Sequence, residues 1–194
     1  MSSFTSVLKG RKILLGVSGS IAAYKSALLV RLLVKAEAEV QVVLTPSAAS
    51  FVTPLTLGTL SRKPVLQGFL KDEQAGEWHN HVHLGLWADA LVVAPASANT
   101  LAHFANGLCS SLLDAVYLSA RCPVFVAPAM DLDMYQHPAT QANLARLRQY
   151  GNHVWESPAG ELASGLSGPG RMLEPEEIVA ELERFFAEPL ILPS

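Results

Sequence analysis

With 194 residues, half of them hydrophobic and 16% charged, the chain is too apolar to be disordered and long enough for one domain with a full core. A formal charge of −3 leaves no basic surplus for a phosphodiester backbone, so nucleic acid is not an expected partner. Its two cysteines, Cys109 and Cys122, form no C-x-x-C pair and no metal-spaced cluster, which predicts no disulfide framework, no metal site and a reducing cytoplasm. The opening MSSFTSVLKGRK carries no apolar run of signal-peptide length, and the longest apolar runs have only strand length, so no membrane span is expected. Such apolarity in a soluble chain points to surface hidden in an oligomer interface.

Residues 12–17 form a continuous apolar run ending in a small-residue turn, the pattern of a strand buried on both faces of a parallel sheet. A helical stretch follows over 21–36, then a second strand over 39–44. Thr45-Pro46-Ser47 opens another helix, to about residue 59, and residues 61–80 read as irregular. A short helix over 81–89 leads into a third strand over 90–94. Helices over 98–106 and 110–120 precede a fourth strand over 123–127. After a helix over 138–150 and a short fifth strand over 152–155, residues 157–172 form a glycine-rich loop too long for a turn. Glu174-Pro175-Glu176-Glu177 starts the last helix, with acids at its positive end. This alternation predicts an α/β fold over 1–194: a single domain with a three-layer parallel sheet and helices on both faces. Ligands of such sheets sit at the carboxyl ends of the strands, which singles out the turns after them.

The turn Gly16-Val17-Ser18-Gly19-Ser20-Ile21 combines small residues with a helix start, as a phosphate cradle would, with Ser18 and Ser20 as hydroxyl donors. It is neither G-x-G-x-x-G nor a P-loop, and a capped strand-to-helix turn reads the same way. Pro95-Ala96-Ser97-Ala98-Asn99-Thr100 is a second such turn; two in one sheet favour a nucleotide-like ligand over a pair of simple caps. His79, His81 and His83 would share one face of a strand, but the following LGLWAD reads as helix, leaving open a metal set, solvated histidines or one functional histidine. In the segment Pro128 to Tyr135, Met130 and Met134 form either a helical core pair, with Asp131 as the cap, or the wall of a pocket. The stretch from Gly160 to Met172 reads as a mobile flap carrying one cation, Arg171, or as a surface hairpin.

In this order, GVSGSIAAYK, the H-x-x-L-x-x-W-A-D segment from His81 to Asp89, PASANT, P-A-M-x-x-x-M-Y and the flap ending G-P-G-R-M resemble the cysteine-decarboxylating flavoprotein family. The flap looks more like the coenzyme A branch than the peptide-modifying one. The resemblance implies a Rossmann-like (flavodoxin-like) fold that binds FMN. It also implies homo-oligomers built from trimers, dodecamers among them, with sites between subunits. By match, Gly19, Ser20 and Ile21 would hold the FMN phosphate, while Thr45, Ser47, Ser97, Ala98, Asn99, Thr100 and Ala129 would line the cofactor. His81, Ser164 and Asp131 would be catalytic, and Met130, Asp131, Met134, Ala163 and Arg171 would contact substrate.

The implied reaction is decarboxylation of 4'-phosphopantothenoylcysteine to 4'-phosphopantetheine, with a phosphopantothenate–cysteine ligase fused or separate. Flavin oxidises the C–S unit to a thioaldehyde, which accepts the electrons released with carbon dioxide; the flavin then returns the pair. Two residues depart from the family pattern: Asp131 stands where an asparagine is usual, and Ser164 where the coenzyme A enzymes often carry a cysteine. These departures keep two alternatives in view, an oxidative peptidyl-cysteine decarboxylase yielding an enethiol and a non-catalytic flavin-binding regulatory subunit.

Overall fold

A computed structural model describes residues 6–72 and 76–188. The chain runs β1 (Lys12–Val17), a 3-10 turn (Ile21–Tyr24), α1 (Lys25–Lys35), β2 (Glu39–Leu44), a second 3-10 turn (Pro46–Ser50) and α2 (Pro54–Ser61). A small hairpin of β3 (Leu70–Asp72) and β4 (Glu77–Trp78) leads to α3 (His81–Trp87), β5 (Ala90–Ala96), α4 (Ala98–Asn106) and α5 (Leu112–Ser119). Then come β6 (Val124–Pro128), α6 (Leu132–Gln136), α7 (Pro138–Gln149) and β7 (His153–Val154). A second hairpin, β8 (Ala159–Glu161) with β9 (Ser167–Pro169), precedes α8 (Pro175–Ala187).

Five strands form one parallel sheet in the order β2-β1-β5-β6-β7. The chain steps outward from β1 to β2, then crosses back to β5 on the other side of β1. That is the flavodoxin-like order, with its switch point between β1 and β5. The strands alternate their apolar side chains between two cores. Ile13, Leu15 and Val17 face a cluster with Leu29 and Leu33 of α1 and Ile178 and Leu182 of α8. Leu14, Leu91 and Val93 face a second cluster with Leu101 and Phe104 of α4, Leu113 of α5 and Leu144 of α7. Gly16 lets Leu113 approach the sheet, since a Cβ there would lie 2.6 Å from Leu113 Cδ1.

Both borders of the sheet are short or covered. β7 has two residues, and Leu66 lies along the outer side of β2, donating to Val42 O at 3.0 Å and accepting from Leu44 N at 2.8 Å.

The predicted strands all form, and the fold class stands. The helix expected over 21–36 begins as a 3-10 turn, capped by Ser20, whose hydroxyl accepts from Ala22 N. The one expected from Thr45 to about residue 59 is two pieces: Thr53 accepts from Thr56 N at 3.1 Å and Pro54, without an N–H, takes the first helical position. The stretch 61–80 holds the β3–β4 hairpin, with residues 73–75 outside the described residues. The loop 157–172 contains the β8–β9 hairpin, turned at Gly165 with φ +86°.

Candidate cofactor and substrate site

Ser18 joins the two switch-point turns. It is 1% exposed. Its hydroxyl donates to Pro95 O at 2.8 Å and accepts from Ser97 N at 2.7 Å, and its own N–H donates to Pro95 O at 3.2 Å. This corrects the expectation that Ser18 is a phosphate donor: its oxygen is used up inside the protein. Beyond it the chain turns away at Gly19, where a Cβ would lie 2.5 Å from Ser47 Oγ and 2.7 Å from Ser47 Cβ. The turn after β2, where Thr45 Oγ1 lies 3.3 Å from Ser47 Oγ, therefore packs directly on the first turn. The N–H groups of Gly19, Ser20 and Ile21 have no acceptor within the described residues. Ser20 Oγ accepts from Ala22 N at 3.3 Å and can still donate. Three free amides with a hydroxyl beside them form an anion-binding concavity.

A cavity of about 670 Å³ opens above these turns. Of the residues expected in the site, Gly19, Ser20, Ile21, Ser97, Ala98, Ala129, Met130, Asp131, Met134, Ala163 and Arg171 form its wall. Thr45 and Ser47 stand behind Gly19, outside the wall. Ser97 caps α4, accepting from Thr100 N at 3.3 Å, which turns Thr100 inward to 4% exposure and leaves Asn99 on the surface. Neither Asn99 nor Thr100 reaches the cavity. Ser164, in the exposed turn of the β8–β9 hairpin, is also off the wall, its hydroxyl accepting from Leu166 N at 3.4 Å. Asp131 caps α6 through Oδ1, 2.7 Å from Leu132 N.

The hairpin is clasped at its base. Met130 N donates to Gly170 O at 3.0 Å. Gly170 has φ +138°, and a Cβ there would collide with the Met130 carbonyl oxygen, so only glycine fits. Below the clasp lies a charge cluster that the sequence did not announce. Lys25, 8% exposed and on the wall, donates to Glu174 Oε1 at 2.6 Å and to Met172 O at 3.3 Å. Arg171 Nη2 reaches the same Glu174 oxygen at 3.0 Å. The hydrogen bond from Lys25, helped by the charges of Lys25 and Arg171, holds the Glu174 carboxyl below its ordinary range against the opposing effect of burial. Lys25 closes the quoted GVSGSIAAYK segment, and Glu174 had been read only as a helix-start acid.

His81 opens α3, which Asn80 caps by accepting from His83 N at 3.0 Å. Its ring packs against Phe69 (centroids 6.4 Å apart, at 89°) and Trp78 (5.7 Å, 58°). Its Nδ1 is buried and makes no hydrogen bond among the described residues. It does not reach this chain's cavity. No three His, Cys, Asp or Glu side chains gather as a metal set among the described residues. Nor is any helix there long and apolar enough to cross a membrane.

The model of the Flavoprotein family matches residues 1–187. The chain belongs to that family. The flavoprotein is 58% identical over 137 residues to a "Cysteine/Cysteine sulfinic acid decarboxylase" of an unknown prokaryotic organism, covering 71% of this chain and 38% of that protein. It is 48% identical over 185 residues to the "Coenzyme A biosynthesis bifunctional protein CoaBC" of Vibrio cholerae, covering 95% of this chain and 46% of the relative. This flavoprotein thus spans less than half the length of these curated relatives. Among solved structures it resembles a cysteine-to-serine mutant of PPC decarboxylase complexed with pantothenoylaminoethenethiol, with TM-score 0.82 and 35% identity over 93% of this chain and all of that one. It also resembles "The FMN binding protein AtHal3", with TM-score 0.79 and 35% identity over 92% of this chain and 98% of that one. A flavin mononucleotide fits what this flavoprotein presents: three unpaired amides for a phosphate, and small side chains, Ser97, Ala98 and Ala129, where a flat ring must come close.

Proposed function

We propose that this flavoprotein is an FMN-dependent decarboxylase that converts 4'-phosphopantothenoylcysteine to 4'-phosphopantetheine. The observation that carries the reading is the set of unpaired amides at Gly19, Ser20 and Ile21, placed at the switch point under a cavity whose wall includes residues of the β8–β9 hairpin and the cations Lys25 and Arg171. The PPC decarboxylase and CoaBC similarities support it, and the relative described as acting on cysteine and cysteine sulfinic acid supports the cysteine carboxylate as the group lost. The cytoplasm is its expected location, the 194 residues are read as one domain, and a phosphopantothenate–cysteine ligase, fused or separate, is its expected partner.

When bound, FMN supplies the two-electron sink for the C–S unit without which a cysteinyl carboxylate cannot be released. The residues of the chain do the rest. The amides of Gly19, Ser20 and Ile21 and the Ser20 hydroxyl hold the phosphate. Ser97, Ala98 and Ala129 form the small-residue seat for the ring. Met130, Met134 and Ala163 fix the substrate's apolar body, and the hairpin excludes water. Arg171 and Lys25 supply positive charge at the carboxylate.

The proton of the thiol or the C–H bond falls to His81, and since this ring lies off its own cavity, the reading includes trimers in which a neighbouring copy presents it. The surface around it suits an interface: Trp78, Val82 and Leu86 are all about half exposed. The test is mass detection of carbon dioxide loss from 4'-phosphopantothenoylcysteine with FMN-loaded protein. His81→Asn is expected to bind FMN normally and to lose turnover by two orders of magnitude or more, on the order of a general acid–base contribution. Full activity in that variant refutes the role.

The similarities to CoaBC and to PPC decarboxylase do not favour the oxidative peptidyl-cysteine alternative or the non-catalytic one, and Ser164, which prompted the first, stands in the exposed hairpin turn off the cavity wall. An enethiol product would be lighter than 4'-phosphopantetheine by two hydrogens, which mass measurement decides.

A further inference from the structure

We infer that the cavity recognises a zwitterion: beyond acylated cysteine, it takes cysteine-type amino acids whose α-ammonium is free. Asp131 holds that ammonium, and Arg171 with Lys25 holds the carboxylate. The inference rests on the cysteine-decarboxylating reading and extends its substrate class.

The charges on the wall are arranged for it. Asp131 uses Oδ1 to cap Leu132 N at 2.7 Å, while Oδ2 accepts nothing among the described residues. A half-buried carboxylate oxygen without a donor repels a substrate carboxylate and attracts a cation. The clasp from Met130 N to Gly170 O, 3.0 Å, sets Asp131 one residue beyond one side and Arg171 one residue beyond the other. Acid and base therefore face the same cavity, yet they do not pair. Arg171 turns instead to Glu174, 3.0 Å away, as does Lys25 at 2.6 Å. Two cations share one carboxylate, which leaves a net positive charge at that end of the cavity, and the guanidinium keeps donors to spare. The remaining acid on the wall, Glu161, is exposed on the hairpin, where solvent screens it. An ammonium brings three donors and a full charge to Asp131, whereas an acylated nitrogen brings one neutral N–H.

Asp131 could serve solely as the cap of α6. Asparagine caps as well as aspartate, so Asp131→Asn keeps the cap and removes the charge. With FMN-loaded full-length protein, binding of S-methyl-L-cysteine and of N-acetyl-S-methyl-L-cysteine is measured by calorimetry. The wild type is expected to prefer the free amine by about tenfold or more, the ratio for one charge-assisted hydrogen bond. Asp131→Asn is expected to bring the ratio near unity with an unchanged melting temperature. Equal affinities in the wild type, no binding of either, or an undiminished preference in the variant each overturns the inference. Carbon dioxide release from L-cysteine, N-acetyl-L-cysteine and 4'-phosphopantothenoylcysteine separates the two levels. Release from L-cysteine supports the zwitterion. Release from the acylated compounds alone overturns it and leaves the decarboxylase reading standing, and release from none overturns that reading.

Discussion

Replacing Ser18 with alanine removes one oxygen that serves two turns. Pro95 O keeps a partner, because it still accepts the Ser18 N–H at 3.2 Å. Ser97 N does not: its acceptor was the Ser18 hydroxyl at 2.7 Å, and a methyl group takes that place. An unsatisfied N–H at this part-buried position costs about 1–3 kcal/mol. In a domain of this length each 1 kcal/mol lowers the melting temperature by about 2–4 °C, so about 2 kcal/mol corresponds to roughly 4–8 °C. Ser97 also lines the cavity, so FMN affinity is expected to fall with it, by about five- to tenfold if half to two-thirds of that cost is felt on binding. Circular-dichroism melts of the apo protein measure the first effect, and quenching of flavin fluorescence the second. An apo melting temperature within about 1 °C of wild type refutes the claim that this hydroxyl holds the switch point together.

Gly19→Ala should weaken FMN binding more than it lowers apo stability, since the new methyl sits 2.5 Å from Ser47 Oγ and forces apart the turns that present the free amides; equal FMN affinity in a fluorescence titration would count against the cradle. Gly170→Ala meets the Met130 carbonyl and a φ of +138°, at a cost of about 1–3 kcal/mol, and should raise KM through a displaced hairpin while FMN affinity is kept. Glu174→Gln should flatten the acid side of the stability profile. Its folded pKa lies below the ordinary 4.5, first because of the Lys25 hydrogen bond, so its stabilisation is complete above that value and is lost as pH falls through the lower folded value. Melting temperatures from pH 7 to pH 3 should fall less steeply in the variant; parallel curves would show that the carboxylate contributes nothing.

The sheet was readable because its strands are continuous apolar runs, and every helix of nine residues or more was located to within a few positions. What escaped were features set by single side chains meeting across the fold. Pro54 marks a helix start, but the 3-10 turn before it sets Ser47 against Gly19, a contact between residues far apart in sequence. The clasp at Gly170 was hidden because a glycine-rich stretch reads alike whether it moves or is bolted down. Lys25 looks like any helical lysine; it is buried because Glu174, distant in sequence, comes to meet it. Motif order found most of the cavity wall, yet it placed Asn99, Thr100, Ser164, Thr45 and Ser47 on a surface they do not reach within one chain, because a motif records residue types and not the direction of their side chains. His81 is the sharpest case: its position in the chain is plain, while the structure seats its ring against Phe69 and Trp78, off its own cavity.

The borders of the parallel sheet have a further bearing on how this chain meets other molecules. A two-residue strand on one side offers almost no row of open amides and carbonyls, and on the other Leu66 already occupies the adjoining ladder positions. Growth by adding strands is thereby discouraged. The trimer proposed above would therefore rest on side-chain contacts, with the exposed Phe69, Trp78 and Leu86 as its candidates, and on closed symmetry rather than on strand addition.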